Sequence, residues 1–463
     1  MQSLTQVCGL VAATLMCALP QVALGASLEP ATWRGDVRLL VAAVDSLHPC
    51  PYRWNRRAAW DSAAIELERQ LPTMRYDQAV AGFARLLGLL RDGHSRLGQM
   101  RLVAHGRPSL APLPGPGFGD TYPIEFEVFA DGLWITRTTP AHAKWLGRHV
   151  ASIHGVPTEA AVARLAPLIP ADSPMWTLNV LPAYLRVPGY LSAAGVSHDP
   201  MAPLVLALVD ARGSLNVATL RAEPIDSSTV WQAADANTTE PLPLTRRLPG
   251  PLAFADLSDT ARTVFARIRA IVDEPGKESF AQFVDRLFAH VDSVGSRRLI
   301  LDLRGNGGGN NYLNQPLVHA LIRRPDLNRP GRLFVTVDRG TFSAAVSLAA
   351  DLQRETHALF VGEPTGGAPN SPGDPARVTL PASGLLVRIS TVLWTGSDPR
   401  DPRAFLAPDL PARPSFADWM AHRDPALAAI EAYRGSDSTT VVPPNTHWGN
   451  PERLHAKVPP ITW

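Results

Sequence analysis

The chain is poor in cysteine and in lysine, with three of each among 463 residues. Cys8 and Cys17 fall within the first 25 residues, so loss of that stretch leaves Cys50 alone. A lone thiol excludes an internal disulfide and a cysteine zinc cluster. Lys144, Lys277 and Lys457 confine lysine-dependent chemistry to three places, and all other positive charge is arginine. Net charge is also lacking: 44 basic against 42 acidic residues leave +2. The broad basic footprint of a nucleic-acid binder is therefore missing, and nucleic acid is not an expected partner. Beyond residue 25 no run reaches the roughly 18 apolar residues that a spanning helix needs. No stable membrane insertion is expected once the leader is gone.

What is present is material for a sizeable core, with 45% hydrophobic and 19% charged residues. That composition and length suit one large domain with attachments, or two to three domains. Residues 1–25 are an apolar run broken at Pro20 and ending in Ala23-Leu24-Gly25, the small-x-small pattern of a cleaved signal peptide. This predicts export, to a periplasm or outside the cell. The stretch lacks Lys and Arg at its start, so an uncleaved anchor is the alternative. Cys50 sits in Leu47-His48-Pro49-Cys50-Pro51-Tyr52, where the prolines imply a rigid loop and a packed structural thiol.

Helical periodicity marks 35–47 (Val37, Leu40, Val41, Val44), 57–70 (Ala59, Ala63, Leu67) and 76–91 (Val80, Phe83, Ala84, Leu87, Leu90). These form an expected N-terminal helical module over 30–105. A proline and glycine rich connection at about 106–119 leads to a small β-containing accessory region over 120–250. Within it, strands at 123–129 and 133–137 flank the turn Ala130-Asp131-Gly132, and 147–165 reads as a strand and glycine turn feeding a helix. A hairpin is expected at 203–222. Residues 170–200 are aromatic and turn-rich without a clear period.

The region 257–430 reads as an α/β core, followed by a tail over 431–463. Helices are expected at 258–273 and 279–292. Strand 298–303 runs into Arg304-Gly305-Asn306-Gly307-Gly308-Gly309 and a helical stretch. Strand 333–337 then enters Gly340-Thr341-Phe342-Ser343-Ala344-Ala345 and helix 344–355, and strand 358–361 ends in Gly362-Glu363-Pro364-Thr365-Gly366-Gly367. Strand, glycine turn and helix in repetition put functional loops at the carboxyl ends of a parallel sheet. The glycine run has the donors to cradle a phosphate, but it lacks a Walker Lys-Ser/Thr pair and dinucleotide spacing. The same N–H groups can instead face the charge that develops on a scissile carbonyl. Ser343 alone reads either as a nucleophile or as a helix N-cap.

Five stretches in order carry a family resemblance: Arg91-Asp92-Gly93-His94-Ser95, Asp302 through Gly309, Thr341 through Ala345, Gly362 through Gly367, and Ala407-Pro408-Asp409. Together they resemble peptidase family S41, the tail-specific or C-terminal processing peptidases, over about residues 35–430. The resemblance implies an α/β, ClpP/crotonase-type protease core and a partly PDZ-like accessory region. It also implies Ser343 as nucleophile and the Gly308 and Ala344 N–H groups as oxyanion hole. Ser-Lys members place their lysine where this chain has Ala368, so a tricorn-like Ser-His arrangement with His94 as general base is expected. Asp401 is the expected third catalytic member and Asp398 the alternative acid, while Asp92 is read as a turn former. Glu363, Arg304 and Asn306 are expected to support the site, with Glu363 securing its turn or Arg304. An exported serine-type peptidase acting on peptide or protein substrates follows, needing no metal or organic cofactor. The alternatives are a catalytically impaired binding protein for peptides or apolar ligands, and an esterase for a small acyl substrate.

Overall fold

A computed structural model of the chain describes residues 27–103 and 107–435. The leader lies outside the described residues, as does the tail beyond 435. Three helices open the chain, Arg34–Leu47, Arg57–Gln70 and Tyr76–Gly88. The second presents Trp60, Ala64 and Leu67 to the core, a face one residue removed from the expected Ala59 and Ala63. Burying one indole removes far more apolar surface from water than burying two methyl groups, and that sets the rotation.

A seven-stranded antiparallel sheet follows, in the order Gln232–Ala233, Gly132–Thr138, His149–Ile153, Leu204–Val209, Leu215–Leu220, with Ile124–Phe129 and Val156–Pro157 attached beside this path. The expected turn at residues 130–131 joins two of its strands, and the expected hairpin at 203–222 forms its far edge. Residues 174–185 and 188–193 are helices buried on most sides, which is why they show no apolar stripe. The inner face of this sheet and the N-terminal helices share one hydrophobic cluster.

The second sheet has six strands in the order Leu252–Asp256, Val264–Ile268, Leu299–Asp302, Leu333–Val337, Leu359–Gly362, Leu410–Pro411. All neighbours are parallel except the first pair. The helix expected over 258–273 is not found, because Val264–Ile268 is a strand buried at every residue. Arg267 is buried along with its apolar neighbours, its guanidinium on the carbonyls of Leu248 and Pro249, so no alternation marks the strand and burial between two layers decides for it. Helices Phe280–Ser293, Gln315–Ile322 and Ala344–Glu355 cover one face, and Pro425–Ala432 covers the other. Among the described residues no helix is long and apolar enough to cross a membrane.

The two halves are joined by a strand of two residues. Arg96–Leu97, just after His94, pairs antiparallel with Leu386–Ile389, Arg96 opposite Arg388 and Leu97 opposite Val387. The hairpin that contains this partner is clamped to the first helix by Asp36, whose carboxylate accepts the N–H groups of Ala382 (3.0 Å) and Ser383 (2.7 Å). Asp36→Ala removes both acceptors inside the protein, and about 2–4 kcal/mol of stability should go with them. Urea unfolding of the two proteins measures the difference, and an unchanged midpoint would show that the clamp is idle.

Candidate functional site

The site forms where two glycine-rich loops meet at the carboxyl ends of adjacent parallel strands. Asp338 Oδ1 accepts the N–H of Gly305 (2.8 Å) and of Gly340 (2.9 Å), and Phe342 N–H donates to the Asn306 carbonyl at 2.9 Å. These bonds lock the loop after Leu333–Val337 onto the loop after Leu299–Asp302. At the turn into helix Ala344–Glu355, Ser343 has φ 56° and ψ −130°. Residues with a Cβ rarely occupy that region, and the strain lifts the side chain out of the turn. Ser343 stands at the N-cap position, yet its side chain makes no capping bond. Its Oγ lies 3.1 Å from His94 Nε2, across 249 residues of sequence.

Gly308 has φ +108°, and a Cβ there would lie 2.6 Å from Ser343 Cβ and 2.9 Å from the Ala344 nitrogen. Only glycine lets the loop pass so close to both. Ala344 is the first residue of its helix, so its N–H has no acceptor further back in that helix. The Gly308 N–H behaves otherwise than expected. It donates to Asn306 Oδ1 at 2.9 Å, while Asn306 Nδ2 holds the Ile268 carbonyl at 2.9 Å. Asn306 is thus a wholly buried brace of the glycine loop, and in this conformation it takes up one of the two expected oxyanion donors.

His94 is fixed on its face as well as at its edge. Its ring stacks on Phe342 (4.5 Å between centroids), and Phe342 stacks on Trp176 (3.7 Å). Ser173 places the indole by capping its helix and donating to the Gly366 carbonyl at 2.6 Å. Behind the imidazole lies Asp92, wholly buried. Its Oδ1 accepts the His94 backbone N–H at 2.8 Å and sits 3.5 Å from His94 Nδ1. Its Oδ2 accepts the hydroxyls of Ser95 (2.5 Å) and Ser390 (2.6 Å) and lies 3.3 Å from His48 Nε2. Read from the sequence as a turn former, Asp92 does form that turn and does more besides.

A second buried carboxyl, Asp172, accepts the Gly93 N–H at 3.1 Å. Burial and the neighbouring Asp92 anion push it well above the usual carboxylate range. Burial also works against the charge on Asp92, but the His48 and His94 rings beside it and the hydrogen bond from Ser390 hold Asp92 below that range. The two neighbouring acids are thus pushed in opposite directions, Asp92 toward the charged form and Asp172 toward the neutral one. Asp92, His94 and Asp172 each bring a potential ligand atom within 4.8 Å of the others. Asp92 and His94 already engage Ser95, Ser390 and Ser343 there, so a cation would have to displace those bonds.

The other expected residues lie elsewhere. The Asp401 carboxylate is held by Arg403 (2.7 Å) and Ser397 (2.6 Å), and Asp398 by Arg400 (3.1 Å). Among the described residues no hydrogen bond or ion pair joins either acid to His94. Glu363 faces Arg413 at 3.1 Å and Arg339 at 3.8 Å rather than Arg304, and burial pushes its carboxyl up. Arg304 forks onto Asp424 (2.8 and 2.9 Å) and Asp302 (2.6 Å). Arg339, four residues before Ser343, reaches Glu127 of the antiparallel sheet at 2.6 Å and so fastens the loop to the other half. Ala368 is buried. Lys277 is a surface partner of Glu274, Lys144 lies over Trp145, and Lys457 falls outside the described residues. Cys50 is half-buried, and burial pushes its thiol up. His48, Asp172, Trp176 and Ser390 also belong to this site, and nothing in their local spacing marks them.

Neither a protein-family model nor a curated protein matches the chain. Solved structures do. Mature CPAF superposes over 88% of this chain and 96% of its own, with a TM-score of 0.59 at 12% identity. The chain has a CPAF-like fold. Mature CPAF complexed with lactacystin gives 0.57 at 13% identity, covering 86% and 97%, and a CPAF mutant gives 0.58 at 11%, covering 89% and 99%. This corrects the expected ClpP/crotonase-type core. The α/β character stands, but repeated strand, turn and helix specify only a local parallel layer. They do not specify the antiparallel edge Leu252–Asp256, or the second sheet and helices that complete the CPAF-like arrangement.

The raised Asp172 carboxyl gives a stability prediction. Its folded midpoint lies above the value of about 4 in an unfolded chain, so above that pH the folded state holds the proton more tightly. Stability is lost as pH rises from there toward the Asp172 midpoint. Asp172→Asn abolishes the dependence, so its Tm relative to the parent should be more favourable near pH 8 than near pH 4. Melting curves across that range check it, and a difference independent of pH would refute the raised midpoint.

Proposed function

We propose that this is an exported serine hydrolase of the S41-like, Ser-His type that cleaves peptide bonds. The observation that carries the reading is the 3.1 Å approach of His94 Nε2 to the Oγ of Ser343, a residue held in a strained turn at a helix start. The order of the S41-like motifs and the CPAF-like fold support it.

Ser343 Oγ attacks the peptide carbonyl carbon while its proton passes to His94 Nε2. The carbonyl oxygen gains charge facing the Ala344 N–H and the positive end of helix Ala344–Glu355. His94 returns the proton to the departing amine. Water then adds to the acyl-enzyme, again giving up a proton to His94, and the acid and Ser343 are released. A second Gly308 donor joins when Asn306 Oδ1 releases it. That occupied donor is also the observation that favours the second reading, a binding protein for peptides or apolar ligands.

Labelling with a fluorophosphonate, followed by peptide mapping, separates the two. The label is expected on Ser343, absent from Ser343→Ala and slowed about 10²-fold or more in His94→Ala. Folded protein that takes no label at Ser343 would favour the binding reading. Release of amine from peptides, against hydrolysis of acyl esters only, distinguishes peptidase from esterase.

A further inference from the structure

We propose that Asp92 is the positioning residue that fixes the tautomer of His94, with His48 holding Asp92 from behind. This rests on the reading of Ser343 and His94 as nucleophile and base.

For Ser343 to give up its proton, His94 Nε2 must be bare, and the ring proton must sit on Nδ1. Nδ1 is buried and has no hydrogen-bond partner. Asp92 Oδ1, at 3.5 Å, belongs to the one acidic residue within ion-pair range of it among the described residues. That distance is longer than a formed hydrogen bond, and a small ring rotation as substrate arrives closes it. The carboxylate expected downstream of the nucleophile does not compete, since Asp401 is spoken for by Arg403 and Ser397.

The direction of the second contact is set by the backbone. His48 Nδ1 accepts the Cys50 N–H at 3.2 Å, so the His48 proton sits on Nε2, 3.3 Å from Asp92 Oδ2. Oδ1 thus accepts the His94 backbone N–H and Oδ2 the hydroxyls of Ser95 and Ser390, while the His48 Nε2–H faces Oδ2 within ion-pair range but short of a formed hydrogen bond. The charged groups around the pair are few. Asp172 approaches from the segment before helix Pro174–Leu185, its carboxyl pushed upward by burial and by Asp92. Arg96 follows in the short strand and grips the Gly93 carbonyl at 2.8 Å. Arg53 and Cys50 lie on the loop with His48. The carboxylate within ion-pair range of His94 Nδ1 is that of Asp92. Its location explains why a chain without the downstream acid can still orient its base.

The test is nitrogen-15 NMR of the full chain with labelled histidine, His94 being assigned by its loss in His94→Gln, combined with fluorophosphonate labelling. The parent is expected to carry its His94 proton on Nδ1. A proton found on Nε2 in the parent overturns the proposal without any variant needing to fold. In Asp92→Asn the proton should move to Nε2, and Ser343 labelling should slow by about 10²-fold or more. His48→Leu should slow labelling several-fold, and His48→Gln, which keeps a donor toward Asp92, should restore it. Asp92→Asn with an unmoved proton, or Asp401→Asn with a moved one, would sink the assignment. A parent that takes no label, but whose Nδ1 proton depends on Asp92, would refute the hydrolase reading while supporting the role of Asp92.

Discussion

One buried negative charge organises the centre of this protein. Asp92 is removed from water, and an ion so placed must be met by hydrogen bonds or it will take up a proton. The groups that meet it come from three parts of the chain: hydrogen bonds from Ser95 and the His94 backbone beside it and from Ser390, 298 residues away, and the His48 ring at the end of the first helix within ion-pair range. Satisfying that charge draws the helical segment, the antiparallel hairpin and the loop carrying His94 to one point. Asp172 shows the contrast, since burial beside the Asp92 anion, with backbone donors alone to offset it, pushes its carboxyl upward.

From that point outward the structure is a series of fastenings. Arg96–Leu97 adds to Leu386–Ile389, Asp36 clamps the same hairpin, Arg339 ties the Ser343 loop to Glu127, and Asp338 zips the two glycine loops together. Such redundancy is what a strained residue requires. The backbone at Ser343 stays in its unfavourable region because helix, loop and the close passage of Gly308 allow it no other path. The stack of His94, Phe342 and Trp176 then sets the imidazole plane at the height of the hydroxyl.

A CPAF-like fold at such low identity shows how little of the chain this scaffold dictates residue by residue. The architecture fixes where two loops and a short strand converge. The acid behind the histidine is free to come from any of the segments that meet there. In this chain the region after Trp394 is occupied with its own arginine pairs, Asp398 with Arg400 and Asp401 with Arg403, and the buried anion lies two residues before His94 instead.

The sequence alone determined the local grammar. Periodicity located the opening helices and the strand and helix cycles, and motif order singled out Ser343 and His94, because these signals are carried by neighbouring residues. It misread residues 258–273, where a strand buried at every residue, Arg267 included, shows no alternation, and it turned the second helix by one residue where Trp60 outweighed two alanines. Only the tertiary structure decided which acid stands behind His94, which arginines face Glu363, and where the Gly308 N–H points. Those outcomes depend on strand register and on charges brought together from hundreds of residues apart, and burial, which no local pattern encodes, decides which of them remain ionised.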